Sequence, residues 1–201
     1  MSASTLSAEI AATAARLVVE EGLEYGPAKQ RALKILGKRG LPAGDLPDND
    51  QLEDEVRSYL ALFCADTQPA ELAALRETAL RWMDRLAVFR PHLTGAVWRG
   101  TATRLNDVHL QLYCDDPKSA EIALLDAGVS YEVGSTRAAD GRQVDVLSLA
   151  QPNRDLGERV IVHLSILDHD DLRGALRPDA RGRTPRGDAA ALRRLMTENP
   201  E

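Results

Sequence analysis

The length, composition and charge of the chain limit what it can be. Its 201 residues suffice for one mid-sized domain, or for one domain with a helical extension, and they can bury a real core. Hydrophobic residues make up 44% and charged residues 28%, which excludes a wholly disordered chain. No stretch approaches the roughly 20 apolar residues of a membrane-spanning helix. The first residues show no signal-peptide core, so we expect a cytoplasmic protein.

The net charge of −6 is unevenly distributed along the chain. Residues 29–39 and 173–194 are rich in Lys and Arg, whereas residues 45–55 carry acidic residues and no base. Basic segments of this kind either contact RNA or a partner protein, or pair with acidic segments and stay solvated. The two cysteines, Cys64 and Cys114, lie far apart in apolar stretches, so we predict two buried free thiols rather than a disulfide or a zinc site.

Apolar residues recur at helical spacing in the first part of the chain, which predicts four helices before any strand. The expected ranges are 7–22, 27–36, 48–64 and 69–88. Pro27 suits a first helical turn, and Asp48 or Asn49 can cap the third helix. The side chains expected to face inward in the first two helices are Ile10, Ala14, Leu17, Val18, Ala28, Ala32, Ile35 and Leu36. Residues 1–67 are therefore expected to form a helical segment, and residues 68–201 a second domain.

From Leu93 onward the hydrophobic period changes to two, which predicts a β-sheet. Within residues 107–114, Val108, Leu110, Leu112 and Cys114 alternate with Asp107, His109, Gln111 and Tyr113, so we expect one packed face and one open face. The other expected elements are a helix at 117–127, strands at 129–135, 142–149 and 159–167, a turn at Asp140-Gly141, a polar connection at 168–187 and a helix at 188–197. The predicted class is α+β, with a helical segment followed by a mixed sheet with flanking helices.

One spacing pattern in the sequence points to candidate catalytic residues. Leu93-Thr94-Gly95-Ala96 is followed by ten residues and then by Asp107-Val108-His109-Leu110, and a later strand carries Asp145. This pattern resembles the signature of the nucleotidyltransferase fold in the DNA polymerase β superfamily: a hydrophobic residue, G-[GS], nine to thirteen residues, D-h-[DE]-h, and a third carboxylate on a later strand. The predicted order of helices and strands resembles that fold as well.

A second resemblance covers most of the chain. The run from Leu105 to Tyr113, followed by Asp115-Asp116-Pro117, is similar to a group of bacterial nucleotidyltransferase-like proteins, as is the Arg/Gly-containing segment over 171–188. That group also lacks the second carboxylate of the motif. The chain is therefore identified as resembling a nucleotidyltransferase-like protein with a degenerate active-site motif.

The resemblance implies how a nucleotide would be held. Gly95 would let the backbone approach the phosphates, and Arg99 and Arg104 would steady the triphosphate. Ala96 stands where the family has a small hydroxyl residue, so that donor is missing unless Thr94 or Thr101 supplies one.

The resemblance also implies a metal site, with Asp107 and Asp145 holding Mg²⁺ or Mn²⁺ beside a nucleoside triphosphate. His109 stands at the position of the second carboxylate, and imidazole is a poor ligand for a hard cation. We list Asp107, His109 and Asp145 as the candidate catalytic residues. The expected function is nucleotide binding with weak or no transfer of a nucleotidyl group to a hydroxyl.

Several alternatives remain open at this point. A sheet that packs on one face only would also explain the polar residues Asp107, His109 and Gln111, as its solvent-exposed face. His163 is expected to face the same way as His109, and with Asp107 or His169 it would form a transition-metal site. No Cys/His or Ser/His pair has a spacing typical of nucleophilic catalysis. The main rival function is a non-catalytic module that contacts RNA or a partner protein through residues 29–39 and 173–194, and a structural homo-oligomer is the third.

Overall fold

The computed structural model describes residues 3–38, 46–138 and 140–198. These residues form seven α-helices and a six-stranded mixed sheet, which confirms the predicted α+β class. The helices are α1 Ala3–Glu21, α2 Tyr25–Ile35, α3 Asn49–Phe63, α4 Gln68–Arg85, α5 Gly95–Arg99, α6 Lys118–Asp126 and α7 Ala189–Glu198. The strands are β1 His92–Thr94, β2 Val108–Cys114, β3 Glu132–Arg137, β4 Gln143–Asn153, β5 Glu158–Asp168 and β6 Arg186–Gly187. In this described part, no helix is long and apolar enough to cross a membrane.

Residue contacts divide the chain into two compact units. The first comprises Met1–Pro69 together with Thr101–Leu105, and the second comprises Ala70–Gly100 and Asn106–Glu201. The return of Thr101–Leu105 to the first unit was not predicted, because no local pattern marks it. One of its anchors is the Gln68 side chain, which donates to the Ala102 carbonyl at 2.9 Å.

The core of the first unit lies between α1, α2 and α3, and α1 contacts both of the others. Ile10, Ala14 and Ala28 are fully buried, as their helical spacing predicted. Ile35, in contrast, is 52% exposed, because it lies in the last turn of α2, where the inward stripe ends at Ala32. The first helix also begins at Ala3 rather than at residue 7, since residues 3–6 contain neither Gly nor Pro to stop it.

The start of α3 follows from its sequence. Asp48 accepts a hydrogen bond from the Gln51 backbone N–H at 2.7 Å, and the Gln51 side chain accepts from the Asp48 N–H at 3.1 Å. This capping box satisfies two donors that the first helical turn would otherwise leave unpaired.

The sheet of the second unit has the strand order β3-β4-β5-β2-β1-β6. Its strands pair antiparallel except for β2 and β5, which are parallel. On one face the side chains are fully buried: Val108 and Leu110 on β2, and Val162 and Leu164 on β5. The alternation read in residues 107–114 therefore identified the packed face correctly.

Several details differ from the sequence predictions. Tyr113, expected on the open face, is 2% exposed because it packs edge-on against His92 at 5.3 Å. β3 begins at Glu132 rather than at residue 129, and β4 continues past residue 149 because β5 pairs with it as far as Asn153. The connection over 168–187 contains a short 3₁₀ helix, His169–Leu172, and ends in β6, whose two residues are too few to show a period. Cys114 is buried as predicted, but Cys64 is only half-buried.

Candidate functional site

A row of polar side chains crosses the open face of the sheet. Ser148 pairs with His163, His163 with His109, His109 with Thr94, and Thr94 with Arg186, on five adjacent strands. Directly paired residues point to the same face, so these five side chains, which we call the polar row, share one surface. All five are half-buried. At about 4.8 Å between strands the row is roughly 19 Å long.

The middle of the polar row is joined by hydrogen bonds to a carboxylate. His163 Nε2 lies 3.0 Å from Asp107 Oδ2, and His163 Nδ1 lies 2.8 Å from Ser148 Oγ. The ring of His109 stacks on the ring of His163, with centroids 4.9 Å apart and 22° between the planes. The prediction that His163 faces the same way as His109 is thereby confirmed.

Gly95, which directly follows β1, lies beside His109 of the polar row. It has φ +76°, a conformation that L side chains rarely adopt, and an added Cβ would lie 3.6 Å from His109 Cδ2. Thr94, the preceding residue, donates through its hydroxyl to the Pro185 carbonyl at 3.1 Å. Ala96 follows as the second residue of α5. The structure therefore places Gly95 against His109, and His109 against His163, which is hydrogen-bonded to Asp107.

The structure does not bring Asp145 to Asp107. β5 lies between β4 and β2, and the strand register places Asp145 level with Leu112, five positions beyond Asp107. At about 3.3 Å per residue this separates the two along the strands by roughly 17 Å. Asp145 instead lies near Lys118, whose pKa is raised chiefly by its hydrogen bond with Glu121 and further by the charge of Asp145.

The two candidate phosphate-binding arginines belong to different units. Arg99 is the half-buried last residue of α5 in the second unit, whereas Arg104 is an exposed residue of the first unit. Sequence reasoning missed Arg186, which donates to the Gln111 side chain and, at 3.2 Å, to the Tyr113 hydroxyl. It lies in a two-residue strand, where no periodic signal exists.

The described residues around Asp107 do not form a metal centre. Among the residues that the structure describes, no group of three or more His, Cys, Asp or Glu side chains could hold a metal ion. Asp107 is bonded to His163, and His169, the alternative ligand, contacts Arg90. Magnesium prefers oxygen ligands, so one carboxylate beside two imidazoles does not fit a pair of Mg²⁺ ions.

The described part of the basic segments is largely engaged with acidic or polar groups. In the first unit Arg31 pairs with Glu21 at 2.5 Å, and Arg39 lies outside the described residues. In the second unit, the pairs are Arg173 with Asp170 at 3.7 Å, Arg183 with Asp179 at 3.0 Å and Arg193 with Asp84 at 2.6 Å. Such pairing is what a solvated surface shows, and it gives no specific support to an RNA interface.

Comparisons with known proteins give little guidance. No family model matches the chain, and no curated protein matches it significantly. Among solved structures, one match is the Cid1 poly(U) polymerase with MgGTP bound, at 14% identity and a TM-score of 0.33. The match covers 48% of this chain and 32% of that protein, so the chain spans about a third of its length. A likeness this low carries no conclusion, and the function has to be inferred from the polar row itself.

Proposed function

We propose that this chain is a nucleotidyltransferase-like protein that binds a nucleotide on the polar row and has weak or no transfer activity. One observation carries the proposal: the residues of the sequence motif, Gly95, Asp107 and His109, come together on a half-buried, polar face of the sheet. Alternation along β2 explains why Asp107 and His109 share a face, but it does not explain why Gly95 lies beside them.

The polar row offers donors suited to phosphate. Arg186 supplies a guanidinium, which pairs well with phosphate oxygens, and His109 supplies an imidazole beside a backbone that lacks a Cβ at Gly95. The adjoining Gln111, bonded to Arg186, adds an amide. The nucleotide is therefore expected to lie along the sheet face with its phosphates between Gly95 and Arg186.

Transfer is expected to be weak because the metal-binding set is incomplete. Two-metal transfer needs carboxylates that clamp two ions across the attacking and leaving oxygens. Asp107 is one such group, but Asp145 lies roughly 17 Å further along the strands, at about 3.3 Å per residue. We therefore expect nucleotide binding that depends little on divalent cations.

A thermal-shift panel tests this proposal. The four nucleoside triphosphates are added in EDTA, Mg²⁺ or Mn²⁺, and the rise in Tm is measured. A nucleotide at ten times its Kd stabilises the native state by about 1.4 kcal/mol, which corresponds to a Tm rise of about 3–6 °C for a chain of this size. The same rise is expected in EDTA and in Mg²⁺.

Matched variants locate the site. Arg186→Gln and His109→Ala should each reduce the nucleotide-induced rise by at least half, whereas Asp145→Asn, a carboxylate change away from the polar row, should leave it unchanged. The absence of any rise with millimolar nucleotide would contradict nucleotide binding. A rise that appears only with Mg²⁺ and is lost in Asp145→Asn would contradict the incomplete metal site.

A further inference from the structure

A serine ends the hydrogen-bonded chain on the polar row. Ser148 Oγ lies 2.8 Å from His163 Nδ1, and the opposite ring nitrogen lies 3.0 Å from Asp107 Oδ2. Ser148 and His163 are 15 residues apart in sequence and become neighbours because β4 and β5 pair antiparallel. His163 therefore contacts both other side chains and lies between Ser148 and Asp107.

The chemistry of the three groups sets the direction of the bonds. An ionised carboxylate only accepts, so Nε2 of His163 must be the protonated nitrogen, and Nδ1 of the neutral ring is then an acceptor. The Ser148 hydroxyl therefore donates to Nδ1. Serine nucleophiles are activated by an imidazole that accepts from the hydroxyl and is itself oriented by a carboxylate. Here the two ring nitrogens have exchanged partners, with Nδ1 facing the serine and Nε2 facing the carboxylate.

The surroundings of Ser148 indicate an anionic substrate. Ser148 lines an open cleft of about 500 Å³. Arg85 and Arg159 also line it, with Trp82 and Tyr131 as its aromatic residues and Glu132 as its one acidic residue. Two guanidinium groups against one carboxylate favour a phosphorylated ligand.

We propose that Ser148 is a nucleophile that attacks activated, anionic phosphate esters, with His163 as its base and Asp107 as a positioning residue. This inference does not depend on nucleotide binding by the polar row. In the step, a bond forms between Ser148 Oγ and phosphorus, and the bond from phosphorus to the leaving group breaks. The hydroxyl proton passes to His163 Nδ1, and the leaving group departs with the bonding electron pair.

An alkyl fluorophosphonate tests the proposal directly on the full-length protein. Attack forms the Ser148 Oγ–P bond and expels fluoride, and the adduct is found by intact mass and peptide mapping. The folded wild-type protein should be labelled at Ser148. Ser148→Ala should abolish the adduct. Ser165 lies on β5, on the same face as His163, and Ser165→Ala should leave the adduct unchanged.

The roles of the other two residues have separate readouts. His163→Gln should slow labelling by about 10²-fold or more, the usual contribution of a general base. Asp107→Asn should slow it roughly tenfold or more and should shift the ¹⁵N spectrum of the His163 ring away from the Nε2–H form, a change that a purely structural role would not produce. Phenyl phosphate should protect Ser148, whereas benzyl alcohol should not.

Four outcomes would overturn the proposal. These are no adduct on wild-type protein that remains folded by circular dichroism, equal labelling of Ser148→Ala, labelling of Ser148 that His163→Gln does not slow, and no protection by phenyl phosphate. The first outcome needs no variant, so misfolding of a variant cannot rescue the proposal. A nucleotide-induced rise in Tm without labelling would leave the proposed function intact and refute this inference alone.

Discussion

Gly187 on β6 is a position where one added methyl group should disturb the second unit. A Cβ there would lie 2.1 Å from Cη2 and 2.4 Å from Cζ3 of the Trp98 indole. Non-bonded carbons sit at about 3.5–4.0 Å, so the ring would have to move by more than an ångström. The backbone of Gly187 is not in the left-handed region, so the clash rather than backbone strain causes the effect.

The cost of Gly187→Ala follows from what the indole would lose. Overpacking costs about 1–3 kcal/mol. Movement of the ring also stretches the bond from Trp98 Nε1 to the Thr184 carbonyl, now 2.8 Å, which is worth about 1 kcal/mol. The expected loss of stability is about 2–4 kcal/mol, or a Tm lower by roughly 5–15 °C for a chain of this size.

Denaturant unfolding followed by tryptophan fluorescence measures this loss, because both tryptophans, Trp82 and Trp98, belong to the second unit. Gly134→Ala on β3 is the matched control: its Cβ would meet nothing closer than the Val146 carbonyl oxygen at 3.9 Å. We expect that control to stay within about 0.5 kcal/mol of wild type.

A double-mutant cycle isolates the contact itself. Trp98→Phe removes the ring atoms that the new methyl group would strike, so Gly187→Ala should cost at least about 1 kcal/mol less in that background than in wild type. Equal stabilities of Gly187→Ala, Gly134→Ala and the wild-type protein would refute the packing of Trp98 on Gly187.

Three further predictions concern single side chains. Asp48→Ala removes the acceptor that the Gln51 N–H uses at 2.7 Å and should lower the stability of the first unit by about 1 kcal/mol in chemical denaturation; an unchanged midpoint would argue against the cap. Asn153 is 4% exposed and makes three hydrogen bonds of 3.0–3.2 Å, so Asn153→Ala should cost about 2–3 kcal/mol, and a fluorescence unfolding curve like that of wild type would show this to be mistaken. Burial raises the pKa of the Cys114 thiol, which leaves less thiolate at neutral pH, so iodoacetamide should label Cys64 first; faster labelling of Cys114 in peptide maps would contradict this order.

Much of the fold could be predicted from local patterns. Apolar residues at helical spacing identified α1 and α2, the Asp48 cap located the start of α3, and strict alternation identified the packed face of β2. These features depend on residues within a few positions of one another, so a sequence shows them directly. The predictions were wrong where local signals are weak. The strand β6 has only two residues, and Tyr113 is buried by His92, which lies 21 residues away in sequence.

The candidate site could be predicted only in part. The resemblance implied that Gly95 and His109 belong to one site, and they lie close together because β1 and β2 pair directly. The partnership of Asp107 with His163 did not follow, and the sequence analysis favoured Asp145 as its partner, because strand order and register are not visible in the sequence.

The sequence by itself determined the approximate ranges of six helices but not of α5, which face of β2 is apolar, and that a single carboxylate, Asp107, directly precedes this strand. Only the tertiary structure decided which distant residues share a face with it. Strand order and register place Ser148, His163 and Arg186 in line with His109 and carry Asp145 away. Register is set by pairing between strands far apart in the chain, and a slip of one residue would turn each side chain to the opposite face.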